Sequence, residues 1–576
     1  MLRHLHKLLI PPQTNQFNTH TKFWFGLSLI FATLYGILAL QHAFGSEYIV
    51  QDDARQHVFW MRRFLNPELF PNDLIADYFQ SVAPLGYAFF YRSFALLGID
   101  PLWLSKVLPI VLGLITTAYS FSVCLQLLPI PLTGFIGSIL LNQNLWMQDG
   151  LISATPKAFI YPLFLAFLYY FLRRSFILCL IAIALLGLFY PSLLFVCTLI
   201  LLFQICHWRH GQLYLSRNRR DYVFCIAGIG VAVLILLPYA LHTSEFAPTI
   251  PISTARTLPE FSPGGRSSFF NHDLWEFWFN ESRSGIRLTS ALMPPLVYAG
   301  ILLPIMLWYP SLFPLATKIR RNIILLPQLL LASLVMFFIA HALIFKLHLP
   351  SRYTQHSLRI VMIIAAALAL TLLLDTLLRR FFASHQGIFY YLKHVFASAI
   401  AVALIFYPCT LNNFLWTGYV VGSSPSLYRF FQQQPQDILI ASLAEETNNL
   451  PTFAQRSILV GSEYAIPYHW GYYRQFRQQT LDLIQAQYSQ DLTDVQKLIQ
   501  KYNIDFWLLE TNAFTPDYIA SNRWIQQFQP LATNTIQQLQ QTVPALSNIT
   551  ARCTIFEVDR FVVLQAQCIQ KQSSLD

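Results

Sequence analysis

Eleven stretches of roughly 20 residues, each nearly free of charge, recur along the first 412 residues of this 576-residue chain. A helix of that length crosses the hydrocarbon core of a bilayer with every backbone group satisfied internally, which no loop or open sheet edge achieves. The bilayer is therefore the solvent in which most of the chain folds. A composition 11% charged agrees, since soluble domains average about 25%. The stretches lie near 23–44, 103–127, 131–148, 157–172, 176–188, 190–206, 222–242, 290–309, 323–345, 359–376 and 394–412. Around Phe189-Tyr190-Pro191 two of them are short, and read either as separate half-spans with a proline break or as one long kinked helix. The expected fold class is an α-helical polytopic membrane protein of about 11 spans, with a soluble α/β domain after the last.

Lysine and arginine set the orientation, because short positive loops stay cytoplasmic. With residues 1–22 inside as an uncleaved signal anchor leading into the first span, the cytoplasmic segments hold 15 Lys/Arg against only Asp221 and Asp375. Exterior loops before residue 412 are balanced, 13 against 13. The net charge of +10 is thus topological, and nucleic-acid binding is not needed to explain it.

Two exterior segments are long. Residues 45–102 contain helix-like stretches Ala54–Leu65 and Asp73–Val82, whose mixture of Phe59, Trp60, Met61, Phe64 and Phe70 with Arg62 and Arg63 reads as lying along the membrane surface. Residues 243–289 are rich in Pro, Ser and Gly but end in an aromatic run, which argues for structure over disorder. Residues 413–428 read as a linker. From 429 to 576, Gln-rich amphipathic helices alternate with β-branched runs at Asp437–Leu443, Ser457–Gly461 and Phe506–Leu509, predicting a small α/β sheet. Of eight cysteines, six lie in or beside spans as small apolar groups. Cys553 and Cys568 instead flank a two-strand run turning near Asp559-Arg560, and outside the cytoplasm a hairpin there would let them oxidise.

The most informative polar cluster is Gln51-Asp52-Asp53-Ala54-Arg55-Gln56-His57, just outside the first span. A carboxylate in a partly dry cleft can take a proton from an attacking hydroxyl, with Arg55 and His57 close by; alternatively one aspartate is a helix N-cap. A cap needs only one, so the pair tips the reading toward function without deciding which is the base. Lys346, His348, Arg352, Tyr353, His356 and Arg359 gather in a short exterior loop, a second cluster suited to a phosphate or diphosphate at the mouth of the bundle; the competing reading is cations anchoring helix ends in the headgroup layer. Arg256, Arg266, Arg283 and Arg287 could join that site or serve solubility. Asp149 could add a third carboxylate, or could be a turn aspartate before Gly150. A divalent metal, Mg2+ or Mn2+, suits such carboxylates without being required.

In layout these residues resemble the GT-C superfamily of membrane glycosyltransferases, which includes protein O-mannosyltransferases, lipid A aminoarabinose transferases and oligosaccharyltransferase catalytic subunits. Members begin with a cytoplasmic terminus and one span, followed by a large exterior loop with surface helices and an essential acidic residue. Asp52-Asp53 stands at that acidic position, Asp149 where many members carry a second acid, and 429–576 where they carry an exterior domain. The resemblance implies that Arg352, Tyr353 and their basic neighbours face the lipid phosphate of a polyprenyl-linked sugar donor. The Trp-Trp-Asp-Tyr-Gly motif of oligosaccharyltransferases is lacking, Tyr468-His469-Trp470-Gly471-Tyr472 being a faint echo, which argues against transfer to an asparagine sequon. Leu349-Pro350-Ser351-Arg352-Tyr353 and Pro451-Thr452-Phe453-Ala454-Gln455-Arg456 are similar in style to cyanobacterial membrane proteins, implying a bacterial inner membrane with the exterior domain periplasmic.

The leading expectation is a lipid-linked glycosyltransferase whose partners are the bilayer and a polyprenyl-phosphate-linked sugar. The alternatives are a transporter or flippase using Asp52 and Asp53 as ion sites, and a non-catalytic envelope assembly protein; sugar, acceptor and oligomeric state are not specified by the residues. A reporter fused after Ser573 is expected to be active only outside the cytoplasm, and cytoplasmic activity would reverse the orientation.

Overall fold

The computed structural model describes residues 19–209, 212–241, 245–246, 248–380 and 388–572. Most of the expected N-terminal segment 1–22 therefore lies outside the described residues, as does Ser573. Among the described residues the apolar helices are Thr19–Ala43, Pro101–Leu127, Pro131–Trp146, Pro156–Leu172, Phe176–Phe189, Pro191–Ile205, Arg219–Leu241, Pro295–Trp308, Arg321–Ala342, Ser351–Arg380 and Ile388–Phe406, matching each expected stretch. Five are long and apolar enough to cross a membrane on length and composition alone. Phe23, Ile30 and Leu34 of the first helix and Ile226, Val233 and Leu234 of the seventh are exposed, as lipid-facing side chains must be.

The break at Tyr190 separates two helices that fold back on each other. Space at Gly228 is closed by Leu201 and Ile183, and space at Gly187 by Leu194 and Ile235. That correspondence requires Pro191–Ile205 to run antiparallel to both Phe176–Phe189 and Arg219–Leu241, which are parallel to each other. Helix Ser351–Arg380 runs through the centre of the bundle: its Ala367 fills the gap left by Gly137, and its backbone approaches Gly300 at Met362 and Ala366. Small residues permit this closeness where no hydrophobic effect drives helices together. The buried amides of Asn142, Gln143 and Asn144 donate to Thr117, to the Leu404 carbonyl and to the Ser290 and Met293 carbonyls, so they tie helices together.

Segment 45–102, expected along the membrane surface, is instead packed inside the protein. Phe59, Trp60, Met61 and Phe70 are fully buried within the protein. Arg62 reaches Asp100 at 2.8 Å and the Thr452 carbonyl at 2.7 Å, so the segment is roofed by the C-terminal domain. A further helix, Leu85–Ala95, follows the two expected ones. Residues 413–428 are more than a linker. Strand β4 (Tyr419–Val421) pairs antiparallel with β1 (Ile49–Gln51), Gln51 facing Tyr419, so the chain after the last helix is hydrogen-bonded to the chain after the first.

The remaining strands, after the short pair β2 (Cys206–Arg209) and β3 (Gln212–Leu215), are β5 (Leu439–Ala441), β6 (Ser457–Ile458), β7 (Phe506–Glu510), β8 (Thr554–Val558) and β9 (Phe561–Gln565). The last five form one sheet in the order β6-β5-β7-β9-β8, parallel on the β5 side and antiparallel at β9. Phe506 to Leu509 and Phe561 to Leu564 are continuously buried, as strands covered on both faces must be. Cys553 ends helix Ala545–Cys553 and Cys568 lies in Ala566–Lys571, and their disulfide clamps the β8–β9 hairpin just beyond both strand ends. For a loop of 15 residues, replacing both cysteines by serine is expected to lower the domain's stability by about 3 kcal/mol through unfolded-state entropy. Denaturant unfolding followed by Trp507 fluorescence checks this: reductant should shift the native protein and leave the double variant unmoved.

Candidate functional site

The β1–β4 pairing delivers the acidic pair to a fixed place. Gln51, last in β1, caps helix Asp52–His57: its side chain accepts from Asp53 N–H at 2.9 Å and Ala54 N–H at 3.2 Å. Neither aspartate is the cap, so both carboxylates are free for other work. The Asp52 N–H donates to the Gly418 carbonyl at 3.0 Å. Gly418 holds a left-handed conformation (φ +60°), and a side chain there would press on Gln51.

The two carboxylates then part ways. Asp52 Oδ1 accepts from Arg55 at 2.6 Å, yet its side chain stays 45% exposed. Partial burial, and then the negative charge of Glu463, push its carboxyl above the usual range, with Arg55 opposing. Asp53 pairs with Lys157, which also reaches Asp149 Oδ2 at 2.9 Å. Burial alone would raise the Asp53 carboxyl, but Lys157, with lesser help from His57 and Arg352, holds it below the usual range. Adjacent residues of one type thus have opposite proton affinities, the pattern that separates roles in acid–base sites.

Asp52, Asp53, His57 and Lys157 open onto a cavity of about 550 Å³ between the helical bundle and the C-terminal domain. Val82, Pro84, Pro191 and Leu349 give it an apolar wall, and Arg266, Arg283 and Arg352 a basic one, beside His348, whose imidazole burial pushes down to about 3 and so keeps neutral. The C-terminal domain closes it with Tyr468 and His469, the latter bonded to Tyr78 at 2.8 Å. The Tyr468–Tyr472 segment sits here because the second loop runs alongside it, Thr249 bridging His469; Gly471 is required, since a Cβ would lie 2.5 Å from the Glu245 carbonyl oxygen.

The basic cluster is only partly brought together. It is not a loop: helix Ser351–Arg380 begins at Ser351. Arg352, His356 and Arg359 therefore descend one face, about 1.5 Å per residue, and only Arg352 reaches the mouth. Arg352 contacts Gln355 at 3.1 Å and has no carboxylate partner among the described residues. His356 is buried against the Tyr161 hydroxyl at 2.9 Å, and Arg359 is buried on Tyr161 and Gln148. Tyr353 donates to the Leu347 carbonyl, and Lys346 is exposed away from the cavity. These four buttress the helix or face solvent and do not line the cavity. Arg55 is buried behind Asp52, held by Asn449 at 2.8 Å and Glu463 at 3.6 Å. Arg287 lies off the cavity wall near Arg352 and Asp149. Asp149 converges on Asp53 through Lys157, as a third carboxylate of the group.

Sequence reading missed Lys157 and Glu463. Lys157 carried a usable signal: a lone charge at the mouth of an apolar helix is expensive and points to function. Glu463 carried none, being one acid among thirteen in the C-terminal domain. As to a metal, Asp53 and Asp149 both turn their oxygens to the Lys157 ammonium, and among the described residues no three His, Cys, Asp or Glu side chains group as ligands. The residues present do not fit a divalent ion.

No family model matches the chain, and no curated protein matches it in sequence. Solved structures match in shape. The oligosaccharyltransferase of Archaeoglobus fulgidus in the apo form superposes with a TM-score of 0.54 at 13% identity, covering 89% of this chain and 72% of that one. The same organism's AglB, in complex with an inhibitory peptide and a dolichol-phosphate, gives 0.52 at 12% identity with the same coverage. ArnT from Cupriavidus metallidurans is more distant in shape, 0.47 at 13% identity, over 96% of this chain and 99% of its own. The chain has the GT-C fold and is a multi-pass membrane protein.

Infrared titration of the carboxyl bands, assigned with Asp52→Asn and Asp53→Asn, is expected to show Asp52 taking its proton at higher pH than an ordinary aspartate and Asp53 at lower. Glu463→Gln removes a repelling charge and should move the Asp52 titration to lower pH. An unmoved titration would separate Glu463 from the site.

Proposed function

We propose that this GT-C-fold chain is a membrane glycosyltransferase that moves a sugar from a polyprenyl-phosphate-linked donor to an acceptor hydroxyl on the exterior face. The observation that carries this reading is the juxtaposition of Asp52, open to the cavity with a raised carboxyl, and Arg352, a guanidinium without a carboxylate partner among the described residues, on the same cavity. One can accept a proton and the other can meet a phosphate.

In the proposed reaction Asp52 takes the proton of the acceptor hydroxyl. The acceptor oxygen forms its bond to the anomeric carbon as the bond from that carbon to the phosphate oxygen breaks. The electron pair leaves on the polyprenyl phosphate, which faces Arg352 and Arg283, preorganised cations placed where negative charge grows. The apolar wall at Val82, Pro84, Pro191 and Leu349 suits the first prenyl units, and Tyr468 and His469 of the exterior domain stand where an acceptor would enter. AglB, similar in fold, holds a dolichol-phosphate and a peptide together. The exterior assignment is supported by the Cys553–Cys568 disulfide, which belongs in an oxidising compartment. A transporter would place its polar site among the helices, where the amide nitrogens of Asn142, Gln143 and Asn144 are already spent on their neighbours.

Asp52→Asn is expected to lower turnover by about 10²- to 10⁴-fold, and Arg352→Ala by about 10²-fold or more. Lipid-linked sugars and surface glycans extracted from cells carrying native chain, variants or no copy measure this. Native consumption of donor by Asp52→Asn at normal protein levels would overturn the reading.

A further inference from the structure

We infer that Lys157 is the resident cation of the transfer site, occupying the place between Asp53 and Asp149 that a divalent metal would need and serving the departing phosphate in its stead. The inference rests on the transferase reading for its role, and on geometry for its position.

Asp149 heads the short helix Asp149–Ile152, and a tight turn stitched by Ser153 to Thr155 at 2.8 Å returns the chain. Lys157 in Pro156–Phe159 thereby faces back toward its own antecedent eight residues earlier and toward Asp53 from the first exterior segment. Two carboxylates turned to one point repel unless a cation lies between them, and that cation here is part of the chain. Its side chain is only 21% exposed, yet it lines the cavity beside Asp52 and Arg352.

An ammonium has three donors. Two are taken by Asp53 and Asp149, which fix the third toward the cavity. Lys157 keeps its proton throughout: it donates to an oxygen of the phosphate as the anomeric carbon–oxygen bond breaks, and no proton or electron passes through it. A metal ion entering the same place would have to expel the ammonium or sit against a like charge a few Å away. Asp53 is accordingly a positioning residue, which leaves Asp52 alone as base.

The test uses the purified full-length protein in detergent and Mn2+ alone as probe, with free Mn2+ followed by electron paramagnetic resonance. The native protein should take up no Mn2+ at this site. Lys157→Ala should gain a site at least about tenfold tighter than any in the native protein, since two unpaired carboxylates then face each other. Adding Asp149→Asn should abolish it again. Lys157→Met, which preserves the bulk of the stem, serves in place of Lys157→Ala if the latter fails to fold by thermal unfolding. Mn2+ uptake by the native protein that Asp53→Asn removes would overturn the inference, and so would a folded Lys157 variant as blind to Mn2+ as the native chain. The readout is metal binding, so it stands apart from turnover: the expected Mn2+ behaviour with no donor consumption would sink the transferase reading while leaving the cation assigned.

Discussion

A guanidinium does not give up its charge inside a protein, and burying one obliges the chain to surround it with acceptors. Arg55, 6% exposed, is under that obligation beside the acidic pair, as Arg359 and Arg456 are elsewhere. Its acceptors come from three places: Asp52 on its own helix, and Asn449 and Glu463 from separate parts of the exterior domain. Glu463 also binds Gln56 and, at 2.5 Å, Arg266 of the second exterior loop. Asn449 passes the connection on to Glu446, which is bonded to Tyr428 and Ser423 just past β4. The domain over the cavity, the second loop and Asp52 are thereby joined through one buried cation.

Chemical difference between two identical neighbours follows from that arrangement. Asp52 shares Arg55 with Glu463 and is left partly repelled, whereas Asp53 has Lys157. Nothing in the dipeptide distinguishes them. The asymmetry is supplied by a residue four hundred positions later and another a hundred positions later, which is why the acidic pair could be located from sequence and its division of labour could not.

Much of the architecture was legible because the bilayer enforces it. Each apolar helix stands where hydropathy put it, and the exterior α/β sheet follows from alternation of helical and β-branched runs. What escaped was contact between distant segments. The aromatics of 59–70 have the composition of an interfacial helix, and composition does not reveal that a domain begun 360 residues later will cover them. Hydropathy marked the apolar part of helix Ser351–Arg380 and so missed its polar first two turns, which made Arg359 look like part of a mouth that only Arg352 reaches. A three-residue strand such as β4 has too few positions to show a period, yet it holds the acidic pair in place.

The pairing of β1 with β4 also governs when the protein becomes whole. Ile49–Gln51 leaves the ribosome early, and its partner Tyr419–Val421 follows only after every apolar helix has been made. Through synthesis of the bundle the acidic segment has an unpaired edge, and the pairing that completes it closes a loop of some 370 residues. A chain that stops short of Tyr419 can therefore carry every apolar helix and still lack the pairing that fixes Asp52 and Asp53.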